Sequence, residues 1–189
     1  MKGRVFIVHG WGSNPESDWF PWLSQELLKL DYEPVTPKMP KTNDPRIASW
    51  INKLNTVVGP IRQSDVFIGH SIGCQTILRF INSSNQNQII NKVILVAPWW
   101  YLTLEGQEEK VKAKPWLKPD INFESTKSKI NKIVCIFSDN DPVVPLDINV
   151  KFFKEKLDPE IIVESNMGHF AGDDNPKVTE LQLLLNLLK

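Results

Sequence analysis

Short apolar runs rich in β-branched residues, each followed by a longer amphipathic stretch, recur along the whole of this 189-residue chain. Val5–Val8 reads as a buried strand closed by Gly10, and Val66–Ile68, Val93–Val96 and Ile133–Phe137 read the same way. Tyr32–Val35, limited by Pro34 and Pro37, is a weaker strand, and Ile161–Val163 a short last one. Between them, Trp19, Leu23, Leu27 and Leu30 share one helical face. Asp44-Pro45 has the form of an N-cap followed by proline at the first helical position, ahead of Ile47, Trp50, Ile51, Leu54 and Val58 at helical spacing. Further helices are expected from about Ile72 to Asn82, along Leu146, Val150, Phe153 and Leu157, and along Val178, Leu181, Leu185 and Leu188. Strands separated by helices of this length pair in parallel through right-handed crossovers. The expectation is an α/β fold: a three-layer α/β/α sandwich of about six mostly parallel strands, with residues 1–189 as one domain and Trp50 in its core.

Pro98 to Ser128 breaks the alternation. It reads as irregular, with Trp99, Trp100, Tyr101 and Trp116 among several Lys, Glu and Pro. A connection of that length inside a compact domain is usually functional, so a small cap or pocket wall over the strand ends is expected. Lys plus Arg and Asp plus Glu balance at 22 each, so no strong field recruits nucleic acid or an anionic membrane. Cys74 and Cys135 make no disulfide framework and are expected to pack as small hydrophobes. The first apolar run, ending at His9, is too short for a signal peptide or a membrane span, which makes a cytoplasmic location the default.

Gly69-His70-Ser71-Ile72-Gly73 matches G-x-S-x-G at a strand-to-helix junction. A nucleophilic serine needs that tight turn so that its hydroxyl projects above the sheet. Flanking glycines avoid Cβ clashes, and the helix that follows points its positive end at the reacting centre. The hydroxyl also needs a base. Of the three histidines, His70 sits inside the turn and points away from its neighbour's hydroxyl, and His9 ends the first strand. His169 lies between the last strand and the last helix, where a base can reach across the strand ends, with Gly168 supplying flexibility. A carboxylate must fix the tautomer of that base. The loop Ser138-Asp139-Asn140-Asp141-Pro142 offers two. Asp141 is favoured because the proline biases it to an extended backbone, whereas Asp139 suits bonding within the turn. His9-Gly10-Trp11-Gly12 faces the elbow if the first and third strands are neighbours, and the backbone N–H groups of Trp11 and Ile72 then converge on one oxyanion.

With these motifs in that order, the chain resembles the small serine hydrolases of the retinoblastoma-binding-protein-9 family. The resemblance rests on Val5-Phe6-Ile7-Val8-His9-Gly10-Trp11-Gly12, Gly69-His70-Ser71-Ile72-Gly73, Asp141-Pro142-Val143-Val144-Pro145 and Gly168-His169-Phe170. It implies a minimal α/β-hydrolase sheet with a reduced cap, and hydrolysis of small ester or amide-like substrates by Ser71, Asp141 and His169. No Leu-x-Cys-x-Glu motif occurs, so retinoblastoma binding is not implied.

The expected activity is therefore ester hydrolysis through an acyl-enzyme, with a small-molecule acyl substrate and no metal or organic cofactor. His9, Gly10, Trp99 and Trp100 are expected to contact the substrate. An interaction or sensor protein that keeps the pocket without turnover is the alternative. The full set of three catalytic groups counts against it. A histidine base further predicts a rise of activity with pH through one ionisation near neutrality.

Overall fold

Six strands form one sheet in the order β2-β1-β3-β4-β5-β6, and every neighbouring pair is parallel. They are β1 (Arg4–Val8), β2 (Glu33–Val35), β3 (Val66–His70), β4 (Ile90–Val96), β5 (Ile130–Ser138) and β6 (Glu160–Glu164). The computed structural model describes residues 1–85, 88–118, 120–174 and 176–188. From β1 the chain steps outward to β2, then returns past β1 to β3 and continues to the other edge. The carboxyl ends of β1 and β3 therefore flank the reversal, where α/β sheets place their ligands.

Side chains of successive strand residues face opposite ways, and the two faces of the sheet are both apolar. Phe6, Val8, Phe67, Val93, Leu95, Cys135 and Phe137 pack with α2 (Ile47–Val58), α3 (Ile72–Ser83) and α6 (Leu146–Leu157). Val5, Ile7, Val66, Ile68, Ile94, Val96, Val134 and Ile136 pack with α1 (Phe20–Lys29) and α7 (Gln182–Leu188). The result is the three-layer sandwich expected from the alternation. Trp50 is fully buried, and Cys74 and Cys135 are free and buried.

Three features differ most from the sequence reading. Helix α2 starts at Ile47, with Arg46 at its cap position. Asp44 instead accepts from the Arg46 guanidinium at 2.8 Å, so the Asp-Pro pair shapes the approach to the helix. Helix α7 starts only at Gln182; Val178 and Leu181 reach the same core from non-helical backbone. Residues 98–128 are more regular than their composition suggested: α4 (Gln107–Ala113), a 3₁₀ turn (Lys114–Leu117) and α5 (Phe123–Lys127) lie within them. Trp116 in that turn is fully buried, and Arg79 of α3 donates to its carbonyl at 2.8 Å.

Candidate active site

Strand β3 ends at His70 and α3 begins at Ile72, so Ser71 alone makes the turn. Its φ of 53° and ψ of −119° lie where non-glycine residues are strained by about 1–3 kcal/mol. The strain is held by its neighbours: the Ser71 N–H donates to the Val96 carbonyl at 2.9 Å, and its own carbonyl accepts from Cys74 at 3.0 Å. The glycines on either side serve close approach. A Cβ on Gly69 would lie 2.7 Å from the Cys74 nitrogen, and one on Gly73 would overlap the Val8 carbonyl of β1. A Cβ on Gly10 would stand 3.0 Å from His70 Nδ1 and 3.6 Å from the Ser71 Cβ, which shows how tightly the loop after β1 lies against the elbow.

Ser71 Oγ lies 2.9 Å from His169 Nε2, and His169 Nδ1 lies 2.8 Å from Asp141 Oδ2. An ionised carboxylate only accepts, so the Nδ1 proton points at Asp141 and Nε2 is left to accept from the serine hydroxyl. The Asp141 side chain is nearly buried, and its other oxygen accepts from the Val143 and Val144 N–H groups at 2.8 and 2.9 Å. The proline after it turns the chain so that both amides face back.

The loop carrying His169 is clamped from below by the end of β5. Asp139 accepts from the Asn166 N–H and the Ser165 hydroxyl, both at 2.7 Å, and these bonds hold its carboxyl below the ordinary range. Asn140 Oδ1 accepts from the Gly168 N–H at 2.8 Å, and Ser138 Oγ accepts from the Met167 N–H at 3.0 Å. Asn166, Gly168 and Phe170 all have positive φ. Gly168 therefore supplies a left-handed turn under a fixed histidine, not the flexibility expected of it. A Cβ there would also strike Asp174.

His70 points away from the Ser71 hydroxyl, as its place in the turn suggested, and it has a task on the far side. Its Nε2–H donates to the His169 carbonyl at 2.7 Å, and the two rings lie 5.2 Å apart. Burial and the neighbouring His169 push its pKa down to about 4, so it stays neutral. His9 is fully buried, with Nδ1–H donating to the Gly10 carbonyl and Nε2 accepting from the Met39 N–H. Both nitrogens are spent inside the protein, which leaves His9 no surface for a substrate. Trp100 likewise belongs to the core, stacked 4.8 Å from Phe152 and edge-on to Phe123. Trp99 does reach the site: its indole Nε1–H donates to Ser71 Oγ at 3.3 Å. The backbone N–H groups of Trp11 and Ile72 are engaged in no hydrogen bond among the described residues. Sequence reasoning missed Asn140 and the reach of His70, because both act across long sequence gaps on backbone atoms.

Residues 5–180 match the family described as Serine hydrolase. The chain belongs to that serine hydrolase family. Across its full length it is 25% identical to the protein YdeN of Bacillus subtilis (strain 168), of which it covers 95%. The crystal structure of the ydeN gene product superimposes with a TM-score of 0.88 at 22% identity, covering 98% of this chain and 96% of that one. Est1E from Butyrivibrio proteoclasticus, solved with ferulic acid bound, gives a TM-score of 0.72 at 15% identity over 99% of this chain and 90% of that one. The fold of this serine hydrolase is thus shared well beyond its near relatives. Among its described residues no helix is long and apolar enough to cross a membrane.

Proposed function

We propose that this serine hydrolase cleaves small carboxylic esters through an acyl-enzyme on Ser71. The observation that carries the reading is the unbroken relay from Ser71 Oγ to His169 Nε2 at 2.9 Å and from His169 Nδ1 to Asp141 at 2.8 Å. Ser71 Oγ attacks the acyl carbon as its proton passes to His169 Nε2, and the carbonyl π pair moves to oxygen. The N–H groups of Trp11 and Ile72 hold that oxyanion; each such donor is worth about 10²–10³ in turnover. His169 then protonates the leaving alcohol, and a water completes the cycle by the same steps in reverse. Asp141 stays ionised throughout and stabilises the imidazolium.

The acyl group is bounded by Gly10, whose bare Cα lies against the elbow, and by Trp99. Residues 98–128 serve as the pocket wall of one continuous domain. A wall this close favours acetyl to butyryl chains. The resemblance to the retinoblastoma-binding-protein-9 family supports the same small-substrate reading. Two unpaired, buried thiols, Cys74 and Cys135, fit action in the cytoplasm.

A fluorophosphonate probe tests the assignment. The wild-type protein is expected to be labelled and Ser71→Ala to be inert while retaining its melting temperature; full labelling of the variant would refute the nucleophile. A series of p-nitrophenyl esters tests the pocket, with octanoate turned over more slowly than butyrate.

A further inference from the structure

Residues 97–101 are held far more firmly than a covering loop needs. Ala97, buried at the end of β4, has a φ of 48°, a left-handed bend without glycine, and its N–H donates to the Ile136 carbonyl at 2.8 Å. Gln75 of α3 donates from Nε2 to the Trp99 carbonyl at 2.8 Å. Asn149 of α6, fully buried, accepts from the N–H groups of Trp100 and Tyr101 at 2.7 and 3.0 Å and donates back to the Tyr101 carbonyl at 2.9 Å. Two helices and a strained residue thus fix the backbone on both sides of Trp99. Trp99 is 2% exposed, and the single polar atom of its indole meets the nucleophile.

We propose that Trp99 is a catalytic residue, a fixed hydrogen-bond donor on Ser71 Oγ that selectively accelerates release of the acyl group. The proposal rests on the acyl-enzyme reading above. An indole N–H can only donate. In the free enzyme it therefore occupies a lone pair of Oγ and leaves the hydroxyl proton to His169. In the acyl-enzyme the same oxygen is the alkoxy oxygen of an ester, whose lone pair is delocalised into the carbonyl and accepts weakly. In deacylation, water adds to the acyl carbon and gives its proton to His169. The oxyanion then collapses, the C–Oγ bond breaks with its electron pair on Oγ, and Oγ recovers the proton from His169. Charge builds on Oγ as that bond breaks, and a donor on a charged acceptor is stronger than on a neutral one.

The two half-reactions pass through analogous transition states, with the C–Oγ bond partly made or partly broken, but start from different ground states. Acylation starts from a hydroxyl already bonded to Trp99, so it gains only the difference. Deacylation starts from the weak ester acceptor and gains nearly all of it. Only interactions stronger in the transition state accelerate a step, and here that condition is met mainly on the exit side.

Stopped-flow turnover of p-nitrophenyl acetate separates the halves, with the burst reporting acylation and the steady state deacylation. Trp99→Phe keeps an aromatic ring and removes the N–H. We expect deacylation to fall about tenfold, the scale of one hydrogen bond to an acceptor that is gaining charge, and acylation less than about threefold, with a larger burst. If Trp99→Phe does not fold, 3-benzothienylalanine placed at position 99 keeps the indole shape and replaces N–H by sulfur. An unchanged ratio of the two rates, or a loss confined to acylation, overturns the proposal. Fluorophosphonate labelling of the same preparations keeps the two readings apart. Labelled protein with an unchanged ratio removes only the role of Trp99, whereas unlabelled wild-type protein removes the acyl-enzyme and that role together.

Discussion

On one side of Ser71, residues 138–141 and 165–170 carry a carboxylate and an imidazole on a lattice of polar side chains. On the other side, residues 97–101 carry an indole on a segment whose Trp99 and Trp100 are buried. The polar side is built between the ends of two adjacent strands: Ser138, Asp139 and Asn140 each bond to the loop that follows β6, the strand next to β5. The aromatic side draws its anchors from helices α3 and α6, far apart in sequence, and from the packing of Trp100 on Phe152 and Phe123. Hydrogen bonds at the rim orient a group that must exchange protons. Hydrogen bonds from two helices, together with apolar packing, fix a group that must not move.

Substitutions on the two sides should therefore fail in different ways. Asp141→Asn removes the acceptor that sets the His169 tautomer, and turnover of p-nitrophenyl acetate is expected to fall on the order of 10⁴-fold with little change in stability, the scale known for a triad aspartate. Trp100→Ala should do the reverse. Deleting a buried aromatic costs about 3–5 kcal/mol, read from the denaturation midpoint, while acyl-chain preference stays the same. A change of preference at full stability would return Trp100 to the pocket.

His70 lies beneath the serine and bonds the His169 carbonyl, and its effect is on pH. Its folded pKa of about 4 lies below the ordinary histidine value near 6.5, so between those values the unfolded chain binds a proton that the folded one refuses. Stability from this group is complete above about pH 6.5 and is lost as pH falls to 4, by up to about 3 kcal/mol. His9, also lowered by burial, adds with the same sign. Urea titrations of His70→Gln across that range should show a flatter profile; an unaltered slope would contradict a buried neutral His70. The smallest effect is expected at Asp139, whose exposed side chain bonds only to the loop: Asp139→Asn should cost less than about tenfold in turnover. A loss as large as that of Asp141→Asn would mean that the polar lattice itself, and not one carboxylate, sets the base.

The legible parts of the site were those whose chemistry forces a local pattern. A serine between a strand and a helix needs small residues on both sides, and Gly69 and Gly73 are where a Cβ would collide. An aspartate before proline is biased to an extended backbone, and Asp141 there gives one oxygen to His169 and the other to the Val143 and Val144 N–H groups. The misread positions share one cause. His9 and Trp100 sit beside the motifs in sequence, yet the fold buries both side chains, a placement that proximity in the chain does not encode. The start of α2 was misplaced because Asp44 spends its carboxylate on Arg46 and caps no helix.

Periodicity and turn chemistry determined a parallel α/β sandwich, its nucleophile turn and the order of its three polar groups, because these are set by residues within a few positions of one another. Tertiary structure decided the rest. That β1 pairs with β3 and brings Gly10 against the elbow, that His70 braces the backbone of His169, and that Trp99 donates to Ser71 Oγ across 28 positions all depend on contacts between distant segments. Such contacts form only once the sheet has twisted and both its faces are buried, and no local pattern encodes the direction in which a buried indole then points.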